Sequence, residues 1–226
     1  MSRDLAYLKE LGIEYYVPRE ARSAPEPVAP AGGGEVPLMD WETLQRTVTA
    51  CTLCGLEKTR TQTVFGVGER RAEWMVIGEA PGADEDARGE PFVGRAGQLL
   101  NSMLKAIGLE RSQVYIANIL KCRPPNNREP RPEEAALCRS YLDRQIELIQ
   151  PRIILAVGRI AAQNLLQTDT PIGRMRGRLY EYGARRIPVV VTYHPAYLLR
   201  SPGEKRKAWA DLQFAQEAAK RGDRPQ

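Results

Sequence analysis

Four short apolar runs, residues 74–78, 114–120, 153–157 and 189–193, constrain this chain more than any other feature. Each is of strand length, and several are continuous rather than alternating, the pattern of strands buried on both faces. Segments of helical character separate them, at about 96–107, 132–149 and 159–166, and a last one follows at 204–220. Pro132 suits the first turn of its helix. Strands alternating with helices predict an α/β fold: a single three-layer domain with a mainly parallel, four-stranded central sheet flanked by helices. Ligands of such sheets bind at the carboxyl ends of the strands. The loops after the four runs are therefore where chemistry is expected.

At 226 residues the chain suits one domain with an appendage. Residues 4–11 form a short amphipathic helix candidate, and residues 18–37 are rich in Pro, Ala and Gly, a linker that cannot bury a core. The expected division is a tail at 1–38 and a folded domain at 39–226. The tail is read as dispensable in preference to a tethered docking helix whose residues 1–16 bind another protein. At 39 the pattern changes, and Asp40 followed by Trp41 looks like a capped helix start. No stretch approaches the roughly 20 apolar residues of a membrane span, so no membrane association is expected. The first residues carry charges where a signal peptide needs an apolar run. A cytoplasmic protein follows, in which cysteines bind metal or do chemistry more often than they form disulfides. The net charge is +5, but residues 1–40 hold four basic and seven acidic side chains, which leaves the remainder at +8. A basic folded body suits a polyanion such as nucleic acid. On charge alone, an ordinary basic surface reads equally well.

The four cysteines are Cys51, Cys54, Cys122 and Cys138. The first two form C-x-x-C, which lets two thiolates converge on one metal. Cys122 follows the second run and Cys138 lies within the next helix. Four thiolates fit zinc or an iron–sulfur cluster. A zinc ribbon uses two C-x-x-C knuckles, whereas fifteen residues separate the second pair here. The spacing therefore favours [4Fe–4S], and four unrelated buried thiols are the least favoured reading.

Three loops carry candidate chemistry. After the first run come Gly78, Glu79, Ala80, Pro81 and Gly82, then Asp84, Glu85 and Asp86, then Phe92 and Gly94 leading into a helix whose N-terminus could hold a phosphate. This is neither G-x-G-x-x-G nor a P-loop, and a generic turn is the better reading of it alone. Asn118 closes the second run, and its amide offers a donor and an acceptor that match a base edge. Such an Asn is more often a turn or cap residue. After the fourth run stand His194, the only histidine in the chain, then Pro195, Tyr197, Leu198, Leu199 and Arg200. A histidine at that strand end is as good a catalytic candidate as a structural one.

Together these motifs, GEAPG-x-x-E-D, G-x-PFVGRAGQLL, N-x-x-KCRPP-x-NR and HP-x-YLLR, with the four cysteines, resemble the family 4 uracil-DNA glycosylases over about residues 45–215. Each motif is common and the combination is specific. Residues 1–38 lie outside the resemblance. It implies a [4Fe–4S] cluster on Cys51, Cys54, Cys122 and Cys138. It also implies a monomeric enzyme that flips uracil from single- or double-stranded DNA into a pocket. Phe92 would stack on the base, Asn118 would read its Watson–Crick edge, and His194 would donate to O2. Glu79, Ala80 and Pro81 would line the pocket. Leu198, Leu199 and Arg200 would form a minor-groove wedge.

The best-known uracil glycosylases place Asp where this chain, like the family 4 pattern, has none; Ala80 stands there. Glu79 could orient water through its carboxylate or act through its backbone. Asp84 and Asp86 are further candidates, while Glu85 reads as an acidic turn or a helix N-terminus preference. The base stays open at this point. A related type traps the sugar on a histidine after the first motif, but residues 87–117 contain none. The activity expected is hydrolysis of the deoxyuridine N-glycosidic bond in base-excision repair. Other classes to weigh are a non-catalytic iron–sulfur DNA-binding module and a nucleotide-binding redox protein.

Overall fold

The computed structural model describes residues 36–221. The helix candidate at 4–11 and most of the linker lie outside them. Six strands form one sheet: β1 (Val67–Gly68), β2 (Trp74–Gly78), β3 (Tyr115–Asn118), β4 (Ile153–Val157), β5 (Leu179–Tyr182) and β6 (Ile187–Thr192), in the order β1-β3-β2-β4-β6-β5. The central four are parallel and correspond to the four apolar runs. The sheet thus has two more strands than expected. Both are antiparallel edges. β1 has only two residues beside Gly66, and β5 is half-exposed along its length, so neither leaves an apolar run to read.

Continuity of the central runs has a simple cause. Alternate side chains enter opposite cores, and both cores are largely apolar. Met75, Ile77, Tyr115, Ala117, Ile154, Ala156, Val189 and Val191 face one. Trp74, Val76, Ile116, Ile153, Leu155, Val157 and Val190 face the other. The first face is covered by α1 (Trp41–Thr49), α4 (Pro132–Ile149) and α5 (Arg159–Leu166), with α6 (Ile172–Met175) at its margin. The second is covered by α3 (Arg95–Ala106), α7 (Pro195–Arg200) and α8 (Lys205–Arg221), while α2 (Ala83–Arg88) lies in the loop after β2. Three layers result. Asp40 caps α1 by accepting the Thr43 N–H at 2.8 Å.

The folded body begins a little before residue 39. Val36 is buried at 3% exposure in the core beneath α4. Arg144 of α4 donates to the Met39 carbonyl at 2.7 Å. Among the described residues no helix is long and apolar enough to cross a membrane.

Candidate active site and thiol cage

In the parallel core Gly78 of β2 pairs with Asn118 of β3, and Val157 of β4 pairs with Thr192 of β6. The strand ends are thus level, and the loops leaving them meet over one edge. There a cavity of about 480 Å3 is lined by Glu79, Ala80, Pro81, Phe92, His194 and Arg200, among others.

Behind Phe92 of that lining, the packing is built around a missing side chain. A Cβ at Gly78 would stand 2.4 Å from Asn118 Oδ1 and 2.6 Å from Phe92 Cζ. The acceptor of the amide and the tip of the ring therefore share the space above that glycine. Asn118 is 2% exposed, and its Oδ1 has no hydrogen-bond partner within the protein. Asn118 does not itself line the cavity; its oxygen shares the space above Gly78 with Phe92, which does, and a buried carbonyl oxygen left unpaired is rare. Phe92 adopts φ 54°, which holds its ring there. That conformation is fixed from behind. Arg111 donates to the Pro91 carbonyl at 2.6 Å, and a Cβ at Gly97 would lie 1.7 Å from the Phe92 carbonyl oxygen.

Glu85 does more than bias a helix N-terminus. Its carboxylate accepts the N–H groups of Gly82 at 3.1 Å, Val93 at 2.9 Å and Gly94 at 3.2 Å. It stitches the Gly78–Gly82 turn to the Phe92 turn, and the anion at the entry to α3 is the chain's own. The S/T-x-x-E capping pattern, with glycine as the cap, was the signal available in the sequence. Asp86 is buried and accepts the Thr61 N–H at 2.9 and 3.0 Å, a structural tie. Asp84 is exposed.

His194 caps α7. Its Nδ1 accepts the Ala196 N–H at 3.1 Å, so the neutral ring carries its proton on Nε2. Burial, with Arg200 nearby, holds its pKa down at about 4. The ring lies 5.6 Å from that of Phe92, inclined by 30°. Glu79 is half-buried. Desolvation first, then the Glu129 carboxylate, raise its pKa to about 7, against an opposing pull from Arg159. It thus titrates where a catalytic carboxylate is useful.

The expected wedge residues do not all reach the surface. Leu198 is 1% exposed and packs in the core, because α7 turns that position inward. Leu199 is partly buried, and Tyr197 and Arg200 are exposed. The rim of the cavity opposite them comprises Pro124, Asn127 and Arg128, where Asn126 and Asn127 both hold positive φ and Arg123 donates to Asn127 at 2.7 Å.

A second site lies on the other face of the sheet. Cys51, Cys54, Cys122 and Cys138, remote in sequence, line one narrow, nearly all-apolar void with Val48, Lys121 and Tyr141. Arg60 lies 2.9 Å from Cys122 Sγ, and the Lys121 N–H donates to Cys138 Sγ at 3.3 Å. Burial raises the Cys54 and Cys122 thiols and takes Cys138 to about 12. Burial lowers Lys121 to about 8, against a counter-pull from Cys138 and Cys122.

Residues 65–213 match the family model described as the Uracil DNA glycosylase superfamily. The type-4 uracil-DNA glycosylase of Archaeoglobus fulgidus is 49% identical over 173 residues, covering 74% of this chain and 87% of that protein. The chain belongs to this superfamily, in its type-4 branch. The type-4 enzyme of Sulfurisphaera tokodaii is 43% identical over 185 residues, covering 79% of this chain and 84% of its own. That of Pyrobaculum aerophilum is 41% identical over 180 residues, covering 77% and 92%. The matched segment contains the whole cavity described above, together with Cys122 and Cys138.

Proposed function

We propose that this chain is a monofunctional uracil-DNA glycosylase that starts base-excision repair, acting as a monomer on single- or double-stranded DNA in the cytoplasm. The observation that carries the reading is the unpaired, buried Oδ1 of Asn118, which shares the space above Gly78 with Phe92, a residue of the cavity lining. Uracil offers N3–H to that oxygen and O4 to the amide N–H of the same side chain. Cytosine presents the reverse pattern and would leave both groups mispaired, which is how a polar site rejects an analogue. Phe92 gives the flipped base an apolar face, and the basic body supplies phosphate contacts.

The reaction breaks the bond between C1′ and N1, and the electron pair leaves with uracil. Negative charge spreads over N1, O2 and O4. The Nε2–H of His194 donates to O2 and is worth most when that charge has formed. Water adds its oxygen to C1′, and the proton it releases passes through solvent to the uracil anion, leaving neutral uracil and an abasic site. Glu79 in its ionised form orients that water. Tyr197, Leu199 and Arg200 fill the space the base vacates, while Leu198 anchors them from inside.

The cage fits a [4Fe–4S] cluster. Its four donors are thiols, each iron of such a cluster takes one of them, and the surrounding void is apolar. When bound, the cluster would cross-link the α1 exit, the β3 exit and α4 through Cys51 and Cys54, Cys122, and Cys138. Arg60 and the Lys121 N–H then donate to two of the sulfurs.

A single-uracil oligonucleotide, incubated with the protein and then treated with alkali, tests the activity. Strand cleavage at the uracil is expected, with none at cytosine in the same position. Intact strands at enzyme excess would support instead a module that binds without turnover.

A further inference from the structure

The K in the K-C-R-P-P motif has no role in the reading above, yet it lies between the two sites. Lys121 is 1% exposed. Its Nζ donates to the Asn118 carbonyl at 3.1 Å and to Gln145 Oε1 at 2.6 Å. Gln145 is held in turn, donating to the Phe65 carbonyl at 2.9 Å and to the Tyr115 hydroxyl at 3.2 Å. Neither partner of the ammonium is an anion. A buried ammonium without a counter-charge is costly. Lys121 also lines the same void as Cys51, Cys54, Cys122 and Cys138.

We propose that Lys121 is a positioning residue that ties the cage to the base reader: its ammonium is the buried counter-charge of the cluster's thiolates, and its hydrogen bond to the Asn118 carbonyl fixes the end of β3. The proposal rests on the cluster and uracil readings given above. Four thiolates leave an oxidised four-iron cluster with net negative charge in an apolar void. One cation at its edge offsets that charge. The same cation holds the backbone of the residue whose amide must meet the base edge. Loss of the charge therefore weakens the cluster and loosens Asn118 together, although Lys121 touches no substrate.

The experiment uses full-length holoprotein and three variants. Iron content and uracil excision of the parent are measured first, and a parent without either fails the earlier reading rather than this one. Lys121→Met removes the charge and both donors. Lys121→Gln removes the charge and keeps a polar head. Gln145→Leu keeps the charge and removes a neutral partner. Iron release to a chelator, followed by the visible absorbance of the cluster, should be about 10-fold or more faster in both Lys121 variants, the usual scale for losing an outer partner of a metal ligand. Single-turnover excision should fall by a similar factor while duplex affinity changes little. Gln145→Leu should release iron within about twofold of the parent. Parental iron release in Lys121→Gln overturns the counter-charge. Iron release in Gln145→Leu as fast as in Lys121→Met overturns it as well, since general core damage then explains both. If Lys121→Met does not fold, Lys121→Gln carries the test. Loss of secondary structure in the Lys121→Gln apoprotein as well would assign Lys121 to the core alone and overturn the proposal.

Discussion

One methyl group at Gly78 would occupy the point on which Asn118 Oδ1 and the Phe92 ring converge. Gly78→Ala should therefore lower uracil excision by ~10²-fold, the cost of about 1 Å misplacement of reacting groups, with the fold retained by circular dichroism. In neutral His194 the place of the ring proton is set by a backbone contact. The Ala196 N–H holds Nδ1, which leaves the proton on the nitrogen free to reach a base. His194→Ala should slow single-turnover excision by about 10²–10³ and leave duplex affinity nearly unchanged. A rate within a few-fold of the parent would remove it from the mechanism. In the proposed role Glu79 would set a pH limb. Its pKa of about 7 means that the carboxylate forms as pH rises through neutrality, so the rate should rise across that range, and Glu79→Gln should flatten the limb. The sign for stability is opposite. Between 4.5 and about 7 the folded state holds a proton that the unfolded state has lost, so this group's contribution falls as pH rises through that window. The strand-end positions of Asn118 and His194 were legible because each stands at the end of an apolar run. The Nδ1 partner was not, since it is a backbone N–H that every residue but proline carries. Leu198 misled because a two-leucine motif does not say which leucine a short helix turns inward.

At the scale of elements, legibility followed burial. The four central strands announce themselves because both of their faces are apolar, and α4 and α5 begin and end at the residues their patterns indicate. The edge strands carry no such mark. β5 alternates half-buried and exposed residues, and β1 is two residues of irregular backbone beside glycines with positive φ. Helix α2 was hidden within an acidic run whose three carboxylates do three different things: Glu85 joins two turns, Asp86 accepts from Thr61, and Asp84 faces solvent. The cysteines were readable as a set, but not the way they join elements. Cys138 stands on α4, Cys122 beyond β3, and Cys51 and Cys54 beyond α1. A bound cluster bridging them would tie the first core's helical layer to the loop after β3. Cys138→Ser should therefore lower iron content and melt at least ~5 °C below the parent, because metal-binding energy is folding energy. Equal melting temperatures with equal iron would detach the cage from stability.

For the whole molecule, the composition shift sets the expected domain start at residue 39, and the packing of the described residues already includes Val36. Linker composition continues through 37, so nothing in the residue types separates Val36 from the prolines around it. The structure does separate them: Val36 is buried beneath α4, and its carbonyl accepts the Met39 N–H at 3.2 Å. Cutting the chain at two neighbouring points tests this. Removing residues 1–35 keeps the Val36 turn and should leave both melting temperature and excision of uracil from naked DNA close to the parent, since every residue of the cavity lies between 79 and 200. Removing residues 1–38 takes Val36 as well. Burial of a valine contributes about 1.5–3 kcal/mol. For a domain of this size each kcal/mol moves the melting temperature by about 2–4 °C, so the longer deletion should melt roughly 3–12 °C lower. Its excision rate at low temperature should stay near the parental value, because the lost contact lies on the α4 side of the sheet and the cavity stands at the strand ends. A large loss of activity already in the shorter deletion would give the tail a part in catalysis. Identical melting of the two deletions would return the boundary to residue 39.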